Sequence, residues 1–269
     1  MKNKVTLNIN QEKNIIRMKK LKMPNSIIIK KYNISENSIY NILKRNGRIH
    51  IVGNKKYEVN EKYFEKIDNE EKAYWLGFLY ADGNVRLHNG RSGILKLKLK
   101  QSDRQHIERF NKCLDSNYII DDGLEILKVK GREYKCYYSV LCIYNTKLVK
   151  DLFNLGCVEN KTFKLNFPDF LDKNLIRHFI RGYFDGDGCI HKLKNRPDSF
   201  ILSIFSVSKE FLEKISEHLY YTNIYKKYDS HSLEIFKIND ILYANKLFYE
   251  NSNIFLNRKK KVFESIIHN

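Results

Sequence analysis

The chain has 269 residues, of which 42% are hydrophobic and 13% aromatic, enough for one large folded domain or two smaller ones and too apolar for a disordered chain. Lys and Arg number 49 against 31 Asp and Glu, and the net charge of +18 favours a polyanionic partner, nucleic acid first. A protein that is basic only because an AT-rich genome favours lysine codons is the alternative explanation.

Several classes are disfavoured from the start. A membrane span needs a run of about 18 apolar residues, and no such run occurs. The first residues lack the apolar centre of a secretory signal. The five cysteines are scattered without a CxxC spacing, which argues against a zinc site or a disulfide framework. We therefore expect an intracellular protein, cytoplasmic or organellar, in a prokaryotic or phage setting or in an organelle.

The first 60 residues are the most basic part, with 14 Lys and Arg against 3 acids. The pattern predicts three short helices, at Gln11–Lys22, Ser26–Tyr32 and Glu36–Asn46. In the third helix one apolar stripe is formed by Ile39, Ile42 and Leu43, with Ser35 as its N-cap and Gly47 as its stop.

This arrangement resembles a helix-turn-helix, with the third helix as the recognition helix. The side chains it would expose are Asn37, Ser38, Asn41 and Lys44. A three-helix packing module without DNA contacts is the alternative. We assign residues 1–47 to this module and residues 48–68 to a linker.

Two similar halves follow, predicted at residues 69–165 and 166–269. Each reads as helix, two strands, helix, two strands and helix. The segments WLGFLYADG and IRGYFDGDG place Asp82 and Asp187 105 positions apart, and Gln101 and Ser206 lie at the same separation. We predict an α+β fold of tandem αββαββα repeats.

The strand LKLKLK alternates strictly. Its leucines, Leu95, Leu97 and Leu99, should pack under helices, and Lys96, Lys98 and Lys100 should form a row of cations. The row favours a nucleic-acid surface over an ordinary solvated sheet face.

The two similar helices each end in an acid. Gly77 and Gly182 lie four residues before Ala81 and Gly186, and small residues at this spacing let two helices approach closely. Packed in parallel, the helices would bring Asp82 and Asp187 together, and two adjacent carboxylates favour a shared divalent cation such as Mg²⁺. Magnesium at an anion-binding surface indicates phosphoryl chemistry. Simple C-capping explains one such helix end better than two matched ends.

These motifs resemble the LAGLIDADG homing endonucleases in their single-chain, two-repeat form, over roughly residues 69–269. The resemblance implies a pseudo-twofold saddle of antiparallel sheets over DNA, with the two signature helices at its centre. It implies that Asp82 and Asp187 bind Mg²⁺, or Mn²⁺ or Ca²⁺ in its place, with the carbonyls of Ala81 and Gly186 as further ligands. The implied activity is metal-dependent cleavage of both strands of a long DNA site across the minor groove, leaving 3′ overhangs.

The resemblance also implies residues that position water. They are Gln101 and Ser206 after the second strand of each repeat, and Lys161 and Lys259 beyond the third helix. Serine departs from the more usual glutamine at this position. Tyr80 stands where the family has its first motif acid, which Asp185 retains, and we expect Tyr80 to be structural. Arg181 and His178 make the second helix more polar than is usual.

The implied partner is double-stranded DNA, bound by a monomer without a membrane. Candidate DNA contacts on the strands are Arg86, His88, Lys96, Lys98, Lys100, Lys192, Lys194 and Arg196. The sequence does not distinguish side chains that read bases from side chains that contact phosphates. It also does not show whether the gene is intron-encoded, free-standing or phage-borne.

Other functions remain open. An RNA-splicing maturase can keep both acids, whereas a non-cleaving helix-turn-helix regulator is disfavoured because such relatives lose them. An intein is suggested by the terminal His268-Asn269, but Met1 is not a splicing nucleophile and no β-rich splicing domain fits. A ligand-sensing DNA-binding protein would explain the charge but not the matched acids.

Overall fold

The computed structural model describes residues 7–21, 23–46, 57–89, 92–129, 131–157, 165–193 and 196–267. The chain divides into two compact units, Met1–Lys56 and Tyr57–Asn269. The finer boundaries at residues 47, 68 and 165 stay predictions.

The N-terminal unit contains three helices, α1 (Ile9–Lys20), α2 (Asn25–Tyr32) and α3 (Glu36–Arg45). Its core includes the predicted stripe of α3, in which Ile39, Ile42 and Leu43 are each 2% exposed. Asn33 ends α2 in the left-handed conformation, with φ 49°, which asparagine tolerates better than most residues. The Ser35 hydroxyl caps α3 by accepting from the Ser38 amide at 3.2 Å, as predicted. Gly47 lies outside the described residues.

The second unit begins with α4 (Glu70–Asp82) and repeats its order of elements. The first repeat continues with β1 (Gly83–His88), β2 (Ser92–Lys100), α5 (Arg104–Cys113), β3 (Ile120–Val129), β4 (Arg132–Tyr144) and α6 (Thr146–Asn154). The second has α7 (Lys173–Asp187), β5 (Gly188–Leu193), β6 (Arg196–Ser206), α8 (Lys209–Leu219), β7 (Ile224–Lys227), β8 (Ser230–Ile235) and α9 (Ile238–Tyr249). The predicted two-repeat α+β fold is confirmed.

Each repeat forms one four-stranded antiparallel sheet. The strand orders are β1-β2-β4-β3 and β5-β6-β8-β7, so the two sheets share one topology. The offset of 105 residues relates the starts of α5 and α8 as well as β1 and β5, but it is lost in the outer hairpins. There β3 and β4 have 10 and 13 residues, whereas β7 and β8 have 4 and 6. The first sheet therefore extends further from the helices than the second.

The core lies between the sheets and the helices. Leu95 and Leu97 of β2 are 1% and 0% exposed, as the alternation predicts, while Leu99 at the end of the strand is half-buried. One helix was not anticipated: α10 (Asn257–Ile267) follows α9 and packs Phe263 into the core. The basic run at its start concealed the apolar spacing. Within the described residues, no helix is long and apolar enough to cross a membrane.

Candidate metal and DNA site

The site is built at the ends of α4 and α7. Asn69 starts α4 by accepting from the Lys72 amide at 2.9 Å, and Asp172 starts α7 by accepting from the Asn174 amide at 2.8 Å. At Gly83 and Gly188 the chain leaves each helix with extended ψ angles of 137° and 162° and enters a strand directly. An acid at either helix tip therefore lies where a helix meets the first strand of a sheet.

The two helices approach closely through glycine. A Cβ on Gly77 would lie 2.0 Å from the Phe179 carbonyl oxygen, and a Cβ on Gly182 would lie 2.0 Å from that of Tyr74. Tyr74 and Phe179 are themselves 105 positions apart, so the two contacts are related by the repeat. The predicted interface of small residues is therefore the one that the structure contains.

The parallel packing brings the two acids together. A Cβ on Gly186 would lie 2.2 Å from the Ala81 Cβ and 3.5 Å from Asp82 Oδ2, which places the Asp82 carboxylate beside the end of α7. Asp82 and Asp187 are both exposed. Both acids also act on the same neighbours, since each contributes to the shifted pKa values of Tyr183 and Lys259.

Lys259 lies beneath this site, at the start of α10. Its side chain is buried, and its ammonium group donates to the carbonyls of Phe184 at 2.6 Å, Gly186 at 3.1 Å and Gly188 at 2.6 Å. Burial lowers the pKa of Lys259 to about 8, opposed chiefly by the negative charge of Asp185. The lysine caps the carboxyl end of α7 and so fixes the backbone that carries Asp187.

The second repeat adds a cleft beside Asp187. A cavity of about 230 Å³ is lined by Asp187, Ser206, Tyr183 and Ala81, among others. Ser206 is 8% exposed, and its hydroxyl accepts from the Ser208 amide at 3.2 Å. The structure thus brings Ser206 to the same cleft as Asp187.

Gln101 and Lys161 are the other candidates for positioning water. Gln101 is exposed at the end of β2. Its role in positioning water stays a prediction. Lys161 lies outside the described residues.

The position of the first motif acid, which is Tyr80 in α4 and Asp185 in α7, is structural in both helices. Asp185 is fully buried and accepts from the Tyr74 hydroxyl at 2.8 Å, the Tyr249 hydroxyl at 2.7 Å and the Leu256 amide at 2.7 Å. Tyr80 is 3% exposed and donates its hydroxyl hydrogen to the Leu155 carbonyl. Each side chain ties its helix to the segment after the third helix of a repeat. The structural role expected for Tyr80 fits this contact.

The polar residues of α7 form a buried hydrogen-bond network that joins α7 to α4 and α9. Arg181 is 0% exposed and donates to Glu70 of α4 at 2.8 Å, to the Phe248 carbonyl at 2.9 Å and to His178 Nδ1 at 2.9 Å. Burial and then the Arg181 charge lower the pKa of His178 to about 4, so this imidazole is the neutral acceptor.

The first sheet carries five of the eight DNA contacts predicted on strands, and they lie on its open face. Strand pairing places Asn84 opposite Lys96 and Arg86 opposite Ile94, so Arg86 and His88 share the face of the three lysines. Arg86, His88, Lys96 and Lys100 are exposed. Lys98 instead donates to Glu125 of β3 at 2.5 Å and lies over the Tyr138 ring at 4.1 Å. The cation row is therefore partly neutralised in the free protein.

The second sheet is less regular. Lys192 pairs with Phe200 and shares the parity of the buried Ile190, which sets it on the helix-facing side at the end of β5. His191 takes the open face instead. It occupies the position equivalent to Arg86, a signal that the offset of 105 contained and that sequence reasoning missed. Lys194 lies outside the described residues, and of Arg196 only its place in β6 is described.

In the N-terminal unit, Asn37 and Asn41 are exposed on α3, and Ser38 is half-buried with its hydroxyl 2.9 Å from that of Ser35. Lys44 belongs to α3, and its side chain is not described. Tyr40 is 57% exposed between Asn37 and Asn41 and was not anticipated. Its place in the helix pattern, off the apolar stripe, was the available signal.

The donor set at the helix tips suits a hard divalent cation. Two carboxylates, from Asp82 and Asp187, and the Ala81 carbonyl are oxygen donors of the kind that Mg²⁺ prefers. The Gly186 carbonyl is already engaged by Lys259. The described residues contain no cluster of three or more His, Cys, Asp or Glu side chains placed to hold a metal, so any cation here would depend on these two carboxylates, backbone oxygen, water and substrate.

Parts of this chain are similar in sequence to known proteins. Residues 174–239 match a family model described as LAGLIDADG-like domain. The probable translation initiation factor IF-2 of Methanocaldococcus jannaschii is 28% identical over 225 residues, which are 81% of this chain and 17% of that protein. The replication factor C small subunit of the same organism is 28% identical over 148 residues, 55% of this chain and 7% of that protein. This chain thus spans less than a fifth of either relative, and their named activities do not transfer to it.

Solved structures match about three quarters of the chain. The LAGLIDADG homing endonuclease I-GzeII, solved with its DNA target, aligns with a TM-score of 0.51 and 13% identity, covering 75% of this chain and 89% of that one. The LAGLIDADG meganuclease I-AabMI, solved with uncleaved DNA, aligns with a TM-score of 0.50 and 14% identity, covering 75% and 90%. Residues 174–239 thus match a LAGLIDADG-like domain, and the chain has the two-repeat fold seen in solved LAGLIDADG homing endonucleases.

Proposed function

We propose that the chain is a site-specific DNA endonuclease that cuts both strands of a long target and depends on a divalent cation, Mg²⁺ under ordinary conditions. One observation carries the proposal: two exposed carboxylates, Asp82 and Asp187, meet at the common end of two glycine-packed helices. A structural C-cap explains one acid at a helix end. It does not explain why two repeats deliver their acids to one point.

The roles of the residues follow from their places. Asp82 and Asp187 would hold the cation, with the Ala81 carbonyl as a further oxygen donor. A divalent cation at a scissile phosphate polarises it and stabilises the charge that develops on its oxygens. Lys259 keeps the carboxyl end of α7 in place through its three carbonyl contacts. Gln101 and Ser206 are the candidates for orienting the attacking water, one in each repeat, together with Lys161.

DNA would lie along the open faces of the two sheets. On the first sheet the exposed Lys96, Lys100 and Arg86 supply positive charge for phosphates or hydrogen-bond donors for base edges. Because both acids come from a single chain, one molecule supplies a complete site, and we expect a monomer on its target. The N-terminal unit, with Asn37 and Asn41 exposed on α3, would lengthen the contact with DNA as a helix-turn-helix does.

The test is selection of a cleaved site from a randomised duplex library, with Mg²⁺ or with EDTA. We expect double-strand cuts only with Mg²⁺, and loss of cutting by at least about 100-fold in Asp82→Asn and in Asp187→Asn, because each substitution removes a charged ligand. Both variants should still bind the selected DNA in a gel-shift assay. Binding without cutting by the unaltered protein under every metal condition would refute the endonuclease and favour the non-cleaving regulator. A protein that binds its own precursor RNA and promotes splicing would be a maturase.

A further inference from the structure

A cleft of about 270 Å³ opens between α5 and α10, and different residues line it from those of the cavity beside Asp187. The polar residues on its walls include Ser102, Asp103, Gln105, Arg109, Arg258 and Lys261. On one wall Ser102 follows Gln101 at the end of β2. On the other wall Arg258 precedes Lys259, whose ammonium group donates to the carbonyls on either side of Asp187. The cleft therefore lies next to the proposed metal site.

Two hydrogen bonds join the walls of this cleft. Arg258 Nε donates to the Asp103 carboxylate at 2.8 Å, and Arg109 Nη1 donates to the Phe255 carbonyl at 3.3 Å. A guanidinium group has five N–H donors, so each arginine keeps further donors beyond these bonds. Burial, and then the charges of Arg109 and Arg258, lower the pKa of His106, which lines the same cleft. The two guanidinium charges thus act on one wall of a cleft that the fold holds together.

The cleft carries an excess of positive charge. Arg109, Arg258 and Lys261 contribute three cations, whereas Asp103 contributes one carboxylate, which is 8% exposed and already paired with Arg258. Arg109 also borders a second cleft beside Glu70, but among the described residues neither Arg109 nor Lys261 forms an ion pair. Both side chains are exposed. Guanidinium and ammonium donors that converge without a neutralising acid are the groups that bind phosphate in proteins.

The second repeat has a different charge at the equivalent positions. Glu210 and Lys214 of α8 lie 105 positions after Gln105 and Arg109 of α5. Glu210 is an exposed acid, and the Lys214 ammonium group lies 3.4 Å from the Glu217 carboxylate. The face of α8 therefore attracts an anion less than the face of α5 does, although the two helices are related by the repeat.

We propose that the cleft between α5 and α10 binds a backbone phosphate of the bound DNA, close to the metal site, through Arg109, Arg258 and Lys261. The proposal rests on the proposed function and adds a DNA contact outside the open faces of the two sheets. Because the cleft adjoins the end of β2 and the acid of α7, a duplex over the site brings its own phosphates to it. A phosphate contact carries no sequence information but fixes the position of the duplex over the two carboxylates.

The first experiment measures the salt dependence of DNA binding. Lys261→Gln and Arg109→Gln each remove one charge from an exposed side chain, and Lys214→Gln is the control because it removes the cation at the position equivalent to Arg109. We expect each of the first two variants to lower the slope of log affinity against log salt by about one, and the control to lower it clearly less. Thermal unfolding checks that the variants are folded. If Arg109→Gln unfolds, Lys261→Gln with Arg109→Lys, which keeps the charge, replaces it.

The second experiment locates the phosphate. Single phosphates of the duplex are replaced by uncharged methylphosphonates, in the cleaved site or, if nothing is cut, in a site selected by binding. The unaltered protein should lose affinity several-fold at a phosphate near the centre of the site. In the double variant Arg109→Gln with Lys261→Gln, methylphosphonate at that position should cost nothing further, whereas the losses at other phosphates should remain.

The outcomes separate this proposal from the endonuclease. A methylphosphonate profile that is unchanged in the double variant, or slopes that equal that of Lys214→Gln, would overturn the contact and leave the endonuclease intact. The contact is also overturned if that profile is unchanged while inorganic phosphate raises the Tm of the unaltered protein but not of the double variant, because the cleft then holds a free anion. An unaltered protein that binds DNA and cuts neither strand refutes the endonuclease, and the profile still decides the role of the cleft. A protein that binds no DNA refutes both proposals.

Discussion

The contact between α4 and α7 makes a strong prediction for the substitution Gly182→Ala. In an exposed helix this change stabilises by about 1 kcal/mol, because alanine favours the helix more than glycine does. At this position the added Cβ would lie 2.0 Å from the Tyr74 carbonyl oxygen and 2.9 Å from the Phe78 amide nitrogen. Both are backbone atoms within a helix, so neither can rotate away as a side chain would.

The size of the effect follows from these distances. A close carbon–oxygen contact in proteins is about 3.3 Å, so the two backbones must separate by about 1.3 Å at the crossing point. Overpacking of this kind costs about 1–3 kcal/mol, and the separation also loosens buried neighbours of Gly182, such as Phe179 and Tyr183. We expect a net loss of about 3 kcal/mol, or about 6–12 °C in Tm for a unit of this size. Gly77→Ala should behave alike, since its added Cβ would meet the Phe179 carbonyl oxygen at 2.0 Å.

Thermal and urea unfolding of the whole chain measure this loss, and the comparison of Glu217→Gly with Glu217→Ala on the exposed surface of α8 is the control for helix propensity. Folded Gly182→Ala protein should also cut DNA more slowly, because separated helices hold Asp82 and Asp187 apart. If either glycine variant is as stable as the unaltered protein, or more stable, the close packing of the two helices is wrong. The convergence of the two acids would then lose its physical basis.

Three further predictions concern other parts of the second unit. Arg181→Met should destabilise by about 1–3 kcal/mol in urea unfolding, because Glu70 and the Phe248 carbonyl lose a buried donor while Glu70 keeps its bonds from Asn253. Arg181→Lys should not restore stability, since an ammonium group cannot reach all three acceptors, and a loss below about 0.5 kcal/mol would contradict this. Burial lowers the pKa of His106 to about 3 from 6.5, so between these pH values the unfolded chain binds a proton that the folded chain does not, and stability falls as the pH drops from 6.5 toward 3. His106→Gln should therefore reduce the slope of the unfolding free energy against pH by up to about 1.4 kcal/mol per pH unit in that window, and an unchanged slope would refute the prediction. Lys96→Gln should lower the salt dependence of DNA binding by about one released counterion, and Lys98→Gln should lower it less because Lys98 is paired with Glu125. Glu125→Gln should strengthen DNA binding at low salt, and equal effects of the two lysine substitutions would argue against the pairing.

The sequence predicted the parts of the site that repeat. Asp82 and Asp187, Gly77 and Gly182, and the alternating leucines of β2 follow from periodicity and from the offset of 105, which require only local pattern. The hydrogen-bond partners of the site residues come from distant segments of the chain, and such contacts leave no periodic pattern in the sequence. Asp185, for example, accepts from Leu256, 71 positions away, and α10 was hidden by the charges that open it.

The prediction for β5 followed charge instead of alternation. Lys192 shares the parity of the buried Ile190, and the register shift lies beyond it, between Lys192 and Leu193, so alternation and the offset of 105 both indicate His191 for the open face. Lys98 was correctly placed on the outer face of its strand, but its charge is shared with Glu125 of a strand 27 positions later. Pairing across strands decides how much of a cation row is available to DNA, and it becomes visible only when the strand order is known.

The engagement of the Gly186 carbonyl by Lys259 bears on how the two halves of the site differ. A carbonyl oxygen has two lone pairs and could serve a second partner, but an ammonium group at 3.1 Å repels a divalent cation approaching the same oxygen. The Ala81 carbonyl is then the better backbone ligand for the proposed cation. If Asp82 and Asp187 hold that cation, we expect the first repeat to contribute a backbone oxygen as well as its carboxylate, and the second repeat to contribute its carboxylate alone. The lysine that caps α7 would thus remove one ligand from the second half of the site while it fixes the backbone that carries Asp187.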